Sequence, residues 1–360
     1  LFLDSSTLRD NVVALAKQIG YSPKSITSPK AAINMQLLFT GNTAPSSVIL
    51  ESGTGFITNY DDSLYEFVLS EDYKTEVVNN TATFTDLPVY EGSLITTRTT
   101  VDTSLKNQRF IINNSKADVS TLKITVFESS SSSVSSTYEK ADSILSVGAT
   151  DRVYFLSEVE DEKYEIFFGD GVLGKKLDDG NIVEISYIVT NGTDTNGAKT
   201  FTFNGLMEDE NGVTVVAPYT VTSITTSSVA SGGADIETID KIKFNAPKFY
   251  GSQNRAVTQN DYKAIVRNLY PAISDIIVFG GEDQEPPAYG KVFLSVKPTE
   301  AVTLSSFTKN ELTLELKKYT VASIRPEFVD PSILFLELTS NIYYNGTKTK
   351  MLPTEVASTV

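Results

Sequence analysis

The spacing of apolar and polar residues changes twice along the chain, and its first stretch has a helical period. The apolar residues that recur at this period are Leu8, Val12, Leu15, Ala16 and Ile19. They predict a short amphipathic helix that is capped by Ser5 or Ser6 and ends at Gly20. Residues 1–25 are therefore predicted to form a helical lead-in segment.

From about Ala31 to Ala230 the pattern becomes that of β-strands. Short apolar bursts alternate with Ser, Thr and Asn, and NG, DG and GD pairs interrupt them. This alternation predicts many short antiparallel strands, which pack as sandwich-like or barrel-like sheets. We expect residues 26–231 to form a β-rich domain, with a break near residues 128–150 that would divide it into two subdomains.

One stretch of this region, Glu128–Lys140, has low sequence complexity, because serine fills most of its first half. Two functional interpretations are a flexible linker and a glycan-bearing stalk. The alternation of apolar and polar positions continues through the stretch, and this favours the simpler interpretation. We expect an exposed strand edge with a loop.

After Gly232 and Gly233 the period becomes helical again. The segment ADIETIDKIKFNAP predicts a helix that stops near Pro247. A second helix is predicted from Thr258, because Asp261 follows three residues later, as in a capping box. Its predicted apolar face contains Tyr262, Ile265, Val266 and Leu269.

The rest of the chain predicts a strand, a loop, a strand, a helix, a strand over residues 329–344 and the opening of a last helix at residues 352–360. Residues 232–360 are thus predicted to form an α+β domain that is truncated at its C-terminal helix. The predicted fold class is mainly β with a C-terminal α+β domain. The chain begins with Leu1, and we expect it to be the C-terminal fragment of a longer polypeptide.

The composition narrows the chemistry that the chain can perform. It has no cysteine and no histidine, which excludes disulfides, thiolate or histidine metal ligands and Ser-His-Asp triads. The net charge of -15 repels phosphate backbones, so we expect no nucleic-acid partner. No apolar run approaches the roughly 20 residues that span a bilayer, so we expect no membrane partner. We also expect no cofactor, no small-molecule substrate and no enzymatic activity.

The most distinctive segment contains the sequence FGDG. Gly169, Gly171 and Gly174 superficially resemble a phosphate-binding loop, but strands are predicted on both sides and Asp170 would repel a phosphate. Together with Asp178 and Asp179, Asp170 also suggests calcium, although the spacing is not that of an EF-hand. We expect Gly169, Asp170, Gly171 and Gly174 to form a structural turn.

A second candidate is the loop from Gly280 to Gly290. It combines three carboxylates with two prolines and an aromatic residue, namely Glu282, Asp283, Glu285, Pro286, Pro287 and Tyr289. A carboxylate pair can serve a glycosidase, but only the separation of the two groups in space identifies one. We expect an exposed loop, stiffened by its prolines, that serves as an interface.

Two segments carry a resemblance to a known family. The segment YEIFFGDGVLGKKLDDGNIVEISYIV resembles the FGDG hairpin of the baseplate J-like family. The segment GGADIETIDKIKFNAPKFYGSQNRAVTQNDYKAIV resembles its second hallmark, and residues 46–59 with 63–72 resemble its upstream hairpin more loosely. The resemblance is specific enough to indicate the T4-type version of this family.

The resemblance implies an architectural role in the virion of a contractile-tailed phage. Such a subunit, a late protein assembled in the host cytoplasm, forms dimers, joins other baseplate wedge proteins and builds a ring that rearranges when the sheath contracts. The family has no assigned catalytic residues, so none is transferred here. The alternatives are a glycan-binding adhesin, which the absence of tryptophan disfavours, and a carboxylate-based polysaccharide depolymerase.

The resemblance also leads us to expect self-association, chiefly through the C-terminal domain. Strands near Ile276 and Phe335 are predicted to belong to a small sheet with an uncovered edge, which invites pairing with another chain. Because the chain is acidic, association is expected to strengthen as salt rises.

Overall fold

A computed structural model describes residues 2–40, 44–105, 108–141, 147–216, 218–299, 301–334 and 336. The described part is mainly β, with antiparallel sheets, one of them nearly closed and barrel-like, and a C-terminal α+β region. The predicted fold class is therefore confirmed. The residues up to Asp330 form one compact unit.

The first element is a helix, α1, which spans Arg9–Gln18. Its N-cap is Leu8 and no side chain caps it, so the prediction of Ser5 or Ser6 as the cap is wrong. The hydroxyl of Ser5 instead donates to the Phe2 carbonyl, within a separate turn that precedes the helix. The helix buries Val12, Val13 and Ala16.

The first six strands belong to one nine-stranded sheet. They are β1 (Lys30–Phe39), β2 (Ser47–Leu50), β3 (Gly55–Tyr60), β4 (Ser63–Val68), β5 (Tyr73–Val78) and β6 (Thr81–Glu91). The long strand β1 pairs antiparallel with β6, and its alternate residues Ile33, Met35 and Leu37 are fully buried. Burial of these side chains is the main stabilising term of the sheet.

The next seven strands form a separate seven-stranded sheet. They are β7 (Ser93–Thr100), β8 (Phe110–Ile112), β9 (Ala117–Phe127), β10 (Ser135–Lys140), β11 (Val153–Glu158), β12 (Tyr164–Phe168) and β13 (Ile182–Val189). In space they lie in the order β7, β13, β9, β10, β11, β12, β8. The serine-rich stretch forms the turn between β9 and β10, where the Glu128 N–H donates to the Val134 carbonyl.

The chain passes from the nine-stranded to the seven-stranded sheet at Gly92. The predicted break near residues 128–150 stays a prediction, and β10 there bridges β9 and β11 of the seven-stranded sheet. The actual junction is tight, because a Cβ at Gly92 would lie 2.1 Å from the Val189 carbonyl oxygen. The buried carboxylate of Glu91 closes it by accepting hydrogen bonds from Thr190 and Asn191.

The chain then returns to the first sheet. It adds β14 (Thr202–Phe203), β15 (Glu208–Asp209) and the long β16 (Tyr219–Ser231), which pairs with β1. The seven-stranded sheet is thus an insertion between two parts of the nine-stranded sheet. The core of the first sheet includes Phe56, Phe67 and Phe201.

The C-terminal region contains three helices, α2 (Ile239–Ser252), α3 (Gln259–Leu269) and α4 (Ser306–Leu316). Helix α2 continues through Pro247, so the prediction that it stops there is wrong. Proline removes one backbone hydrogen bond, but the fully buried Ile242 and Ala246 anchor the helix in a shared core with α1. The predicted capping box of α3 is confirmed, with reciprocal bonds between Thr258 and Asp261.

The helices α3 and α4 pack on a three-stranded sheet in the order β17 (Ile273–Gly280), β18 (Lys291–Pro298) and β19 (Arg325–Val329). The third strand was predicted at 329–344, but it ends at Val329, and residues 330–334 have no regular structure. Pro326 weakens the strand pattern of this segment in the sequence. Proline is tolerated in it because β19 is an edge strand. The rest of that prediction, with Phe335 and the helix at 352–360, lies outside the described residues.

The predicted domain boundaries at 1–25, 26–231 and 232–360 stay a prediction. Gly233 lies in a packed position, since a Cβ there would meet the Gly192 carbonyl oxygen and Pro29 at 2.5 Å. Asn196 also exchanges two hydrogen bonds with the Gly233 backbone. In the described ranges, no helix has the length and apolarity that crossing a membrane requires.

Candidate functional site

The FGDG segment forms a closed turn after β12. The Asp170 carboxylate accepts hydrogen bonds from the N–H groups of Val172 and Leu173, at 2.8 and 2.9 Å. Gly171 and Gly174 have φ values of 92° and 86°, which favour glycine. A Cβ at Gly169 would lie 2.1 Å from the Gly174 backbone, so that position has room only for glycine.

These contacts pair the Asp170 carboxylate, which a calcium ion would need, with the two N–H groups that a phosphate would need. Hydrogen bonds from Leu173 and Val172 lower the pKa of Asp170, which therefore stays charged within its own turn. Asp179, the second candidate calcium ligand, accepts two hydrogen bonds from Thr103. Across the described part of the chain, no three His, Cys, Asp or Glu residues group as metal ligands do.

The acidic loop connects β17 to β18 and opens with a 3₁₀ turn at Gly281–Asp283. The Gly281 carbonyl accepts hydrogen bonds from the Gln284 and Ala288 N–H groups, which closes the base of the loop. The side chains beyond this base are solvent-exposed and include Glu282, Asp283, Glu285, Pro286 and Pro287. Tyr289 is 81% exposed. The arrangement presents carboxylates and one aromatic ring to solvent.

The neighbouring strand β17 is an edge of the three-stranded sheet. Ile276 and Val278 point into the core, whereas Ile277 between them is 58% exposed. An edge strand presents unpaired backbone groups that another chain can bind. The acidic loop and this edge therefore lie in one continuous stretch of the chain, residues 273–290.

A buried polar network joins elements that are far apart in sequence. The Arg9 guanidinium forms two hydrogen bonds with the Glu158 carboxylate and a third with the Glu237 carbonyl. The Glu237 carboxylate accepts from the Tyr21 hydroxyl and the Asn245 amide. No local pattern could have predicted this network, because Arg9 and Glu158 are 149 residues apart.

The geometry defines a class of protein: a β-rich chain whose FGDG turn is closed by its own backbone and carboxylate contacts, and whose acidic loop and β17 edge are exposed to solvent. Two families match segments of it. The family described as "Bacteriophage baseplate wedge protein gp6, third domain" matches residues 95–193. The family described as "Baseplate structural protein gp6, C-terminal domain I" matches residues 258–329. Over these segments the chain is similar to a gp6-like baseplate wedge protein.

A similar curated protein is the baseplate wedge protein gp6 of Enterobacteria phage T4. The two are 25% identical over 364 residues, which cover 95% of this chain and 52% of the relative. The chain thus spans about half the length of that relative.

Among solved structures, the anti-feeding prophage baseplate matches with a TM-score of 0.25 and 11% identity, over 90% of this chain and 61% of that one. The TssK-TssF-TssG baseplate subcomplex of a type VI secretion system matches with a TM-score of 0.37 and 6% identity, over 93% and 96%. Both scores are too low to define a shared fold.

Proposed function

We propose that the chain is a structural subunit of a contractile-tail baseplate wedge. The observation that carries the proposal is the coincidence of family matches with structural modules. The gp6 third-domain match at 95–193 coincides with the seven-stranded sheet, and the C-terminal match at 258–329 runs from the cap of α3 to the end of β19. Two wedge-protein domains thus occur in order within one chain.

The proposal includes what the baseplate J-like resemblance implies. The subunit is non-enzymatic, lies in the tail baseplate of the virion after assembly in the host cytoplasm, and takes part in the rearrangement on contraction. Its partners are other wedge proteins and a second copy of itself. The absence of cysteine and histidine from the sequence and the use of Asp170 within its own turn support a role performed through surfaces.

We place the self-association surface at residues 273–290, which contain the β17 edge and the acidic loop. The edge offers unpaired backbone groups together with the exposed Ile277 side chain. The prolines of the loop restrict its backbone, so ordering it against a neighbour costs little conformational entropy. A ring requires each subunit to present contact surfaces that close by symmetry.

Sedimentation velocity over a salt series tests this proposal. Between about 0.05 and 0.5 M NaCl the Debye length falls from about 14 to about 4 Å, which screens repulsion between chains of charge -15. We expect self-association that strengthens as salt rises. A monomer at every salt concentration would refute self-association of this chain.

Matched variants locate the surface. Ile277→Lys places a charge on the β17 edge and is expected to weaken self-association about tenfold, or about 1.4 kcal/mol. Leu64→Lys is the control, because Leu64 is also well exposed, at 72%, but lies on β4 of the nine-stranded sheet. Equal effects of the two variants would place the contact elsewhere.

Two assays test the alternative functions. Glycan binding on an array would instead support the adhesin, and clearing of a polysaccharide would support the depolymerase.

A further inference from the structure

A groove of about 550 Å³ lies between α2 and α3. Its basic lining consists of Lys248 on α2 and of Lys263 and Arg267 on α3. The acidic residue of its lining, Asp261, accepts a hydrogen bond from the Thr258 N–H in the capping box of α3. The groove therefore presents three cations to solvent, and the carboxylate beside them is already paired.

The three cations have little compensation within the chain. Lys248 and Lys263 form no ion pair with any described residue, and the Arg267 Nη2 atom lies 4.0 Å from Asp275 Oδ1, a long contact for an ion pair. Burial and the nearby charge of Arg267 lower the pKa of Lys248. The Lys248 ammonium lies 3.0 Å from the centre of the Phe244 ring, which is 57% exposed. A partner that supplies carboxylates and an aromatic surface would suit this groove.

The basic character of the groove is local. Residues 239–269 include six basic and two acidic residues, whereas the whole chain has 30 basic and 45 acidic ones. A nucleic acid would meet the acidic remainder of the chain, which repels its phosphates. A short acidic segment of a protein can enter the groove alone, so the charge distribution favours that kind of partner.

The acidic loop after β17 has the complementary chemistry. It presents Glu282, Asp283 and Glu285 to solvent together with the Tyr289 ring, and residues 280–290 include no basic residue. Carboxylates and one exposed aromatic ring on the loop thus correspond to cations and one exposed aromatic ring in the groove.

Within one chain the loop and the groove lie at opposite ends of β17. The contact between Arg267 and Asp275 places the groove beside the start of this strand. The loop follows its end at Gly280, and eight residues of β-strand span about 23 Å. The loop is therefore positioned to meet the groove of another copy of the chain, not its own.

Antiparallel pairing of two β17 edges brings the opposite ends together. In a two-fold pair centred on Ile277, Ile273 lies opposite Gly281 of the partner subunit. Each acidic loop then lies beside the start of the other β17, where the groove is. The exposed Ile277 side chains of the two copies meet at the axis, and a two-fold axis makes such a surface self-complementary.

We propose that two copies of the chain associate about a two-fold axis at the β17 edge, each with its acidic loop in the α2–α3 groove of the other. This arrangement rests on the self-association at residues 273–290 proposed above, and it adds the surface that the loop contacts. The loop carboxylates face the three cations of the groove, and Tyr289 packs near Phe244. Symmetry repeats the contact, so each dimer contains it twice.

Charge reversal tests the contact by sedimentation velocity at about 0.15 M NaCl. Lys263→Glu and Glu282→Lys each place like charges at both copies of the contact, and each should weaken self-association about tenfold. An equimolar mixture of the two variants has opposite charges at both copies of the contact. Its association should return to within about threefold of that of the unsubstituted chain.

The controls make the same changes in net charge elsewhere. They are Lys74→Glu and Glu76→Lys, at exposed positions of β5. Because Glu282→Lys makes the chain less acidic, general repulsion alone would strengthen the association of this variant, as we expect for Glu76→Lys. The weakening expected for Glu282→Lys has the opposite sign. If Lys263→Glu lowers the melting temperature, Lys248→Glu reverses a charge in the same groove at an exposed position.

Disulfide cross-linking tests the two-fold pairing. The chain has no cysteine, so a single introduced cysteine can form a disulfide only with another copy. Opposite residues of antiparallel strands have Cα atoms about 4.5–5.5 Å apart, a distance that a disulfide spans. Ile277→Cys should therefore form a covalent dimer under mild oxidation. Leu64→Cys, at another exposed position, should not.

The outcomes separate this arrangement from self-association itself. A monomer at every salt concentration would refute both. If the unsubstituted chain associates, two results would overturn the contact between loop and groove and leave self-association standing. One is association that Lys263→Glu and Glu282→Lys leave unchanged, and the other is a mixture that associates as weakly as the single variants. Cross-linking of Ile277→Cys no faster than that of Leu64→Cys would overturn the two-fold pairing.

Discussion

The contact between Arg9 and Glu158 should be a main support of the position of α1. The Arg9 Nε atom lies 2.6 Å from Glu158 Oε1, and the Nη2 atom lies 3.2 Å from Oε2. The third hydrogen bond, from Nη1 to the Glu237 carbonyl, is 2.6 Å long. One guanidinium thus connects α1, β11 and the segment before α2. The substitution Arg9→Met keeps much of the aliphatic side chain and removes all three bonds.

The expected cost follows from burial. The Glu158 side chain is 2% exposed and that of Arg9 is 16% exposed. Removing one partner of such a pair leaves a buried charge uncompensated, which costs about 3–5 kcal/mol. Because Arg9 retains some solvent contact, the lower end of this range, about 3 kcal/mol, is expected.

Urea denaturation measures this cost, with Arg98→Met as the control. Arg98 makes an ion pair of the same length, 2.6 Å to Glu184, but its side chain is 66% exposed. An exposed pair contributes less than about 1 kcal/mol. If Arg9→Met lowers the free energy of unfolding no more than Arg98→Met does, burial is not what makes the Arg9 contact important.

The pH dependence provides a second check. Burial raises the pKa of Glu158, against the opposing effect of Arg9. Between the unfolded and folded pKa values the folded state binds more protons, so this group's contribution to stability falls as pH rises through the folded pKa. Arg9→Met should raise that pKa further. The stability that Arg9→Met loses relative to the unsubstituted chain should therefore be largest near neutral pH and shrink on acidification. A loss independent of pH would contradict the conclusion that Arg9 compensates the Glu158 charge.

Other substitutions test local geometry, with thermal or urea unfolding as the measurement. Gly169→Ala should lower the free energy of unfolding by about 1–3 kcal/mol, because its Cβ would collide with the Gly174 backbone. Gly251→Ala, in open space on α2, should raise it by up to about 1 kcal/mol. Equal effects of the two substitutions would contradict the clash. Thr258→Ala should cost about 1 kcal/mol through loss of the α3 cap, and an unchanged midpoint would count against it. Asp170→Ala should lower the melting temperature more than Asp170→Asn, because asparagine keeps the acceptor oxygen. The pKa of Asp170 is lowered in the folded state. The stability that its charge contributes is therefore present above the pKa of the unfolded state and is lost as pH falls through the pKa of the folded state.

Local patterns predicted most elements of this chain, because they depend on neighbours within a few residues. The apolar stripe of α3 and its Thr258–Asp261 capping box could be read directly, since a helix brings positions three and four apart together. The period-two alternation likewise predicted the β-rich region. The glycines of the FGDG segment predicted a turn, and in the structure Gly171 and Gly174 do have positive φ.

Only the tertiary structure decided which distant segments meet. It inserted the seven-stranded sheet between β6 and β14 and carried α2 through Pro247, where the burial of Ile242 and Ala246 accompanies the loss of a backbone bond. It also brought Arg9 to Glu158 and Tyr21 to Glu237. Such contacts join residues more than a hundred positions apart, and no local periodicity encodes them. They arise because all the modules must bury their apolar faces at once, and the junctions between modules then determine which polar groups find partners.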